Sequence, residues 1–175
     1  MMTDQSLEEY LDLLRSKGWR VELWVGAPPA LDASIADRYP RIPGDYLNFL
    51  QRVKSCVNAD ETVWFLCLDD YNNQSDSAWG WNEMEKTALD GTVDEKERRG
   101  IVEFWNRHLP FMYSVGGEYG YLAFRVGAEP FGSVVEGYED LSDASDSCAS
   151  FEEFVGLHSD AVQGDFGDTT LFDFV

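Results

Sequence analysis

The sequence predicts an α+β fold in which an antiparallel sheet packs against helices, and two patterns support this fold class. Several segments repeat apolar residues at helical spacing, and one region holds three strand-like runs, at Pro110 to Val115, Tyr119 to Val126 and Phe131 to Tyr138. Glycine-containing turns separate the three runs, which is typical of an antiparallel meander. The chain has 175 residues, and it shows no repeat and no linker-like stretch. We therefore expect residues 1–175 to form one domain.

The first element is predicted to be an amphipathic helix. Ser6 and Glu9 match the S-x-x-E pattern of a capping box, in which two side chains satisfy free backbone N–H groups. Apolar residues follow from Leu7 to Leu14 at the spacing of one helix face. Gly18 is the expected end of this helix.

The next part of the chain is predicted to alternate between strands and helices. Trp19 to Val25 reads as a strand, Leu31 to Tyr39 as a short helix, and a second helix is expected to begin at Pro43. Thr62 to Leu68 is a nearly continuous apolar run, which predicts a buried central strand. Asp69 to Ser77 is expected to be a polar loop.

Helices are also predicted on both sides of the meander. Trp81 to Leu89 and Asp94 to Asn106 have helical patterns, and the pair Asp90-Gly91 separates them. After the meander, Ser142 to Ser150 is predicted to be a polar loop. Ser150 itself is expected to cap a last helix.

The predicted core consists of residues on the apolar stripes of these helices and strands. Trp105 is expected to be buried as well. The main core residues are Tyr46, Phe49, Leu50, Trp64, Leu66, Phe111, Leu122, Phe124, Phe151 and Phe154.

The charge of the chain is strongly negative and unevenly distributed. Asp and Glu number 33 against 13 Lys and Arg, which gives a net charge of −20. No Lys or Arg occurs from Ser55 to Glu85 or after Arg125. Nucleic acids and anionic membranes are poor partners for such a surface, and a basic protein is the natural one. The alternative is that the acidity serves only solubility.

The cysteine pattern and the N-terminus favour a cytoplasmic protein. The three cysteines, Cys56, Cys67 and Cys148, form no C-x-x-C pair, and an odd number suits a reducing compartment. We expect them to be small buried hydrophobic residues. Residues 1–9 do not resemble a signal peptide, and no apolar run is long enough for a membrane span.

No pattern for catalysis, metal binding or cofactor binding emerges. The only two histidines, His108 and His158, lie outside any nucleophile elbow or zinc motif, and we expect both to be structural or surface residues. The segment Asp70 to Asp76 has some features of a calcium loop but lacks its glycine. We therefore expect no catalytic residue, metal or cofactor, although an enzyme of unknown type stays an alternative.

The candidate partner-binding residues combine acidic and aromatic side chains. Trp79 and Trp81 flank Gly80 just after a polar acidic loop, and exposed aromatics among acids are typical of binding hot spots. The alternative is that both tryptophans pack under the sheet. The first candidate surface comprises Asp69, Asp70, Tyr71, Asp76 and Trp79. The second comprises Glu118, Glu136, Tyr138, Glu139 and Asp140.

Three segments carry a resemblance to a known family. They are IPGDYLNFL at 42–50, LPF at 109–111 followed by GGEYGYL at 116–122, and SFEEFV at 150–155. In this order they resemble the SUKH superfamily of Smi/Knr-type regulators and bacterial toxin-immunity proteins. The resemblance implies an α+β fold and a non-enzymatic role, in which bacterial members bind and neutralise a toxin, often a nuclease. Fungal relatives imply the alternative of a regulatory interaction module.

Overall fold

The computed structural model describes residues 1–139 and 144–175. In this part of the chain, seven strands form one antiparallel sheet whose strand order follows the chain from β1 to β7. The strands are β1 (Arg20–Leu23), β2 (Val53–Val57), β3 (Val63–Phe65), β4 (His108–Ser114), β5 (Gly120–Arg125), β6 (Val134–Tyr138) and β7 (Ser145–Cys148). The helices are α1 (Asp4–Ser16), α2 (Ala33–Arg38), α3 (Gly44–Arg52), α4 (Leu68–Tyr71), α5 (Glu83–Asp90), α6 (Glu95–Arg107) and α7 (Phe151–Val162). A 3₁₀ helix covers Leu171–Phe174. The α+β prediction is confirmed.

The antiparallel meander predicted from the three strand-like runs is present as β4, β5 and β6. Tyr113 of β4 lies opposite Tyr121 of β5, which lies opposite Gly137 of β6. The meander continues into β7, which pairs with β6. The loop prediction for 142–150 is therefore wrong at residues 145–148. Positions 142 and 143 lie outside the described residues. β7 escaped detection because its sequence, SDSC, is polar and largely exposed.

The first half of the sheet contains a strand that the sequence patterns missed. α3 ends at Arg52 and the chain passes directly into β2, although Val53 continues the helical stripe. Val53 is buried in the strand, and a continued helical stripe predicts burial at the same position, so burial periodicity does not distinguish the two conformations. The apolar run 62–68 is only partly a strand, because the chain leaves the sheet after Phe65 and begins α4 at Leu68.

The N-terminal caps of α1 and α7 determine where these two helices begin. Thr3 caps α1, because its Oγ1 accepts a bond of 3.1 Å from the backbone N–H of Ser6 and the Ser6 hydroxyl accepts one of 2.9 Å from Thr3. The predicted box at Ser6 and Glu9 is therefore wrong by three residues. The cap at Ser150 is confirmed, since its hydroxyl accepts the Glu153 N–H at 3.1 Å and starts α7.

Helices cover the sheet from both sides, and the core lies in two aromatic layers. On one face, Tyr46 and Phe49 of α3 pack against Phe111, Phe124 and Phe151 at distances of 5.0 to 5.8 Å between ring centroids. Successive strand residues face opposite sides.

On the other face of the sheet, Trp105 of α6 contacts Tyr121 at 4.9 Å. Nine of the ten main predicted core residues are buried. Trp64 is only half-buried, because it lies on a part of the sheet that no helix covers.

A buried histidine links α1, α7 and the 3₁₀ helix. The ring nitrogens of His158 lie 2.7 Å from the Tyr10 hydroxyl oxygen and 2.6 Å from the Phe174 carbonyl oxygen. A carbonyl only accepts, so Nε2 carries the hydrogen and Nδ1 accepts the Tyr10 proton. Burial lowers the pKa of His158 to about 4. The neutral imidazole therefore links α7 to α1 and to the 3₁₀ helix through these two hydrogen bonds.

Candidate functional site

A groove opens where the helices leave one corner of the sheet uncovered. α6 covers the central strands on the Tyr121 side, whereas the same face of β1 to β3 is open. The groove has a volume of about 740 Å³. Arg20, Val57 and Trp64, which are paired across β1, β2 and β3, form part of its floor.

The opposite wall of the groove is the segment that leads from α4 to Trp79. The Asp70 carboxylate accepts the Cys67 N–H at 2.8 Å and so holds the start of α4. The Asp69 carbonyl accepts the N–H groups of Gln74 and Ser75, at 2.7 and 3.1 Å. These bonds fold the polar segment back on itself, so that its acidic side chains line the groove.

Two partly exposed aromatic rings lie at the end of this wall. Trp79 contacts Trp64 at 5.8 Å, Tyr113 at 5.7 Å and Tyr119 at 5.0 Å between ring centroids. Tyr119 is 42% exposed, and Trp79 is half-buried. Trp81, by contrast, is buried against Tyr39. One tryptophan of the pair is therefore available to a partner and the other is not.

The first candidate surface is largely brought together by the fold. Asp69, Asp70, Asp76 and Trp79 all line the groove. Tyr71 is a wrong prediction, because it is 1% exposed and its hydroxyl donates to the Pro110 carbonyl at 2.6 Å. The segment is helical here, and Tyr71 lies on the buried side of α4 with Leu68.

Asp70 also differs from a simple surface acid. It is half-buried, and burial raises the pKa of its carboxyl group while the bond from the Cys67 N–H opposes that rise. Asp70 is therefore a structural cap for α4 as well as part of the groove.

The second candidate surface is only partly correct. Glu118 and Glu139 are exposed and lie close together, because the Glu139 N–H donates to the Tyr119 carbonyl at 2.8 Å. Glu136 is a wrong prediction, since it is 6% exposed and burial raises the pKa of its carboxyl group. Tyr138 is half-buried and donates to Asp173 at 2.9 Å. Asp140 lies outside the described residues.

The two candidate surfaces meet at the contact between Trp79 and Tyr119. Tyr119 directly follows Glu118 in sequence and touches Trp79 in space, so the groove wall continues into the Glu118 and Glu139 end of the sheet. We call this set the acidic band, and it comprises Asp69, Asp76, Trp79, Glu118, Tyr119 and Glu139. Tyr119 was missed as a site residue because it was interpreted only as the start of a strand.

Cations from other segments neutralise some acids but not those of the acidic band. Arg20 pairs with Glu61, and the guanidinium of Arg38 pairs with Glu85 at 2.8 Å. In the described part of the chain, the four acids of the acidic band have no ion-pair partner. Ion pairs within the described residues therefore leave the negative charge of the band unneutralised.

The cysteines and the possible metal ligands of the described residues were the other candidates for a site. Burial raises the pKa of the Cys148 thiol to about 12 and also raises those of Cys56 and Cys67, so the thiols are poor nucleophiles. Within 1–139 and 144–175, no group of three or more His, Cys, Asp or Glu residues is placed to hold a metal ion. No helix in those ranges is long and apolar enough to cross a membrane.

Comparison of the chain with protein-family models, with curated proteins and with solved structures finds no match.

Proposed function

We propose that this chain is a non-enzymatic immunity protein that binds and neutralises a basic toxin domain, of the nuclease type, from a bacterial polymorphic or contact-dependent toxin system. The observation that carries the proposal is the acidic band, in which acids that have no ion-pair partner among residues 1–139 and 144–175 accompany the partly exposed rings of Trp79 and Tyr119. The resemblance of three segments to the SUKH superfamily supports the same role.

The electrostatics of the band suit a partner that holds nucleic acid. A nuclease surface is cationic because it must hold phosphates, so an acidic protein of net charge −20 complements it. Long-range attraction then speeds the encounter by about 10- to 10³-fold at low salt. Occlusion of the cationic surface would stop the toxin without any chemical step.

The aromatic pair has a different role in this proposal. Buried aromatic anchors act after the encounter and mainly slow dissociation. Trp79 already rests on Trp64 and Tyr113, so its ring is held in place before a partner arrives. Such preorganisation reduces the entropic cost of ordering the side chain on binding. The proposed protein acts in the cytoplasm and needs no metal or cofactor.

The test is binding kinetics against the toxin domain encoded beside the gene for this chain, measured by surface plasmon resonance at 0.1 M and 1 M salt. The Debye length falls from about 10 Å to about 3 Å between these conditions, so association should slow. Reversal of Asp69 and Asp76 to Lys should slow association further, and Trp79→Ala should mainly speed dissociation. Asp70 is left unchanged because it caps α4.

A matched control separates local from global charge. Asp37→Lys with Glu103→Lys changes the net charge equally at two exposed acids that do not line the groove. If the control slows association as much as the Asp69 and Asp76 reversal, the acidic band is not the interface. If no toxin domain binds at all, the immunity function is wrong.

A further inference from the structure

We infer that the groove beside the acidic band receives a short extended segment of the partner that carries lysine or arginine side chains. This inference rests on the proposed function, because it assumes a basic protein partner. It goes further by assigning the kind of segment that is recognised and the side chains that it meets.

The dimensions of the groove select a short segment. Its volume of about 740 Å³ lies within the range of about 300–1,000 Å³ that is usual for small-ligand pockets. The floor is the open face of three strands, and the wall is a single folded-back segment of chain. A loop or tail fits such a space, whereas a folded domain would contact only its rims.

The charges along the groove favour a cationic segment. On the wall, Asp69 and Asp76 have no ion-pair partner within the described ranges, and neither has the exposed Glu22 of β1 on the floor. The two cations that line the floor already have contacts, because Arg20 is paired with Glu61 and the ammonium group of Lys54 lies 5.7 Å over the ring of Trp24. Lysine or arginine side chains of the segment can therefore pair with acids on the wall and at Glu22.

The aromatic rings provide the second element of recognition. Trp64 and Trp79 both line the groove and meet edge to face at 5.8 Å. A guanidinium or ammonium group within about 6 Å of an indole face is attracted by the ring, and the aliphatic stem of the side chain covers apolar surface. Acidic and aromatic groups that line the same groove thus favour Arg or Lys over a neutral side chain.

The probe for this inference is the acetylated and amidated heptapeptide GSRVRSG, with GSEVESG as its acidic counterpart. Titration into ¹⁵N-labelled protein is followed through the indole N–H signals of its six tryptophans. Substitution of Trp64 and of Trp79 by Phe assigns their signals. We expect GSRVRSG to shift these two signals in a saturable way and GSEVESG to leave them in place.

A pair of charge-neutral variants tests the wall itself. Asp69→Asn with Asp76→Asn should raise the dissociation constant of GSRVRSG, by about 1.4- to 5-fold for each charge, which is the range of exposed ion pairs. The control, Asp37→Asn with Glu103→Gln, should change it less than 1.4-fold. Equal effects of both double variants, or equal shifts with both peptides, would overturn the inference. An absence of saturable shifts with GSRVRSG would do so too.

Failure of the inference and failure of the proposed function are distinguishable. If the toxin domain binds and Glu118→Lys with Glu139→Lys weakens it while the peptide does not bind, the immunity function stands and the groove is not its receptor. If the peptide binds in the groove but the toxin domain does not bind, the groove serves a different basic partner.

Discussion

Acidification should destabilise this protein through His158, which is buried in its neutral form between Tyr10 and Phe174. In the unfolded chain the imidazole has an ordinary pKa of about 6.5, whereas burial lowers its pKa in the folded protein to about 4. Between these values the unfolded state binds a proton that the folded state does not. The free energy of unfolding therefore falls as the pH falls from about 6.5 to 4.

The size of the effect follows from the two pKa values. At pH 5 an unfolded imidazole is almost fully protonated, while the folded one is mostly neutral. Between pH 7 and pH 5 the loss from this group is about 2 kcal/mol, and it approaches about 3 kcal/mol below pH 4. Above about pH 7.5 the imidazole is almost entirely neutral in both states, so His158 adds little pH dependence there.

The assay is urea unfolding of the wild type and of His158→Gln at pH 7, 6 and 5. Glutamine is uncharged throughout, so the variant should lose about 2 kcal/mol less stability than the wild type between pH 7 and pH 5. Burial raises the pKa of Asp70 and of Glu136, which acts in the opposite direction. The quantity to compare between the two proteins is therefore the change in the free energy of unfolding with pH.

An NMR titration of His158 in the folded wild type gives a direct check of its pKa. His108 is also buried, with its ring stacked on Phe104 at 4.1 Å, and burial lowers its pKa in the same direction. The variant His108→Gln identifies which signal belongs to which histidine. A His158 signal that titrates between pH 6 and 7 in folded protein would refute the reasoning, as would equal slopes for the wild type and His158→Gln.

Two further predictions follow from buried groups. The three cysteines should react with Ellman's reagent only after unfolding, because burial raises their thiol pKa values; rapid labelling of native protein would contradict their placement. Glu85→Ala should lower the free energy of unfolding by about 2 kcal/mol, since it leaves the half-buried guanidinium of Arg38 without its carboxylate partner. Asp12→Ala removes an exposed partner of Arg15 and should cost less than about 1 kcal/mol in the same melts. Equal losses for the two variants would show that the Arg38 pair contributes no more than a surface pair.

The parts of the fold that the sequence predicts are those with a local signal. β4 to β6 are mostly apolar runs of strand length that are separated by glycine-containing turns, so their pairing as neighbours follows from the short connections between them. β2 and β7 lack such a signal, because VKSCV continues a helical stripe and SDSC is polar. Their strand conformation comes from pairing with neighbours, and a single-sequence pattern does not contain that information.

The same distinction explains the candidate site. Asp69, Asp76 and Trp79 line the groove and are at least partly exposed, because charge and a polar segment mark exposure locally. Tyr71 and Glu136 were wrongly placed there, since their burial depends on which side of α4 and of β6 another element covers. The charges in the sequence therefore predict that the surface is acidic, while tertiary packing determines which residues belong to it.

The open sheet leaves a strand at each end, and this has a consequence for how copies of the protein behave together. Unpaired edge strands are templates for intermolecular pairing and aggregation. Here β1 and β7 are only four residues long, and both carry charged side chains, Arg20 and Glu22 on one and Asp146 on the other. The net charge of −20 adds repulsion between molecules. Resistance to edge-to-edge aggregation thus depends on ionised carboxylates, and it should weaken once acid protonates them.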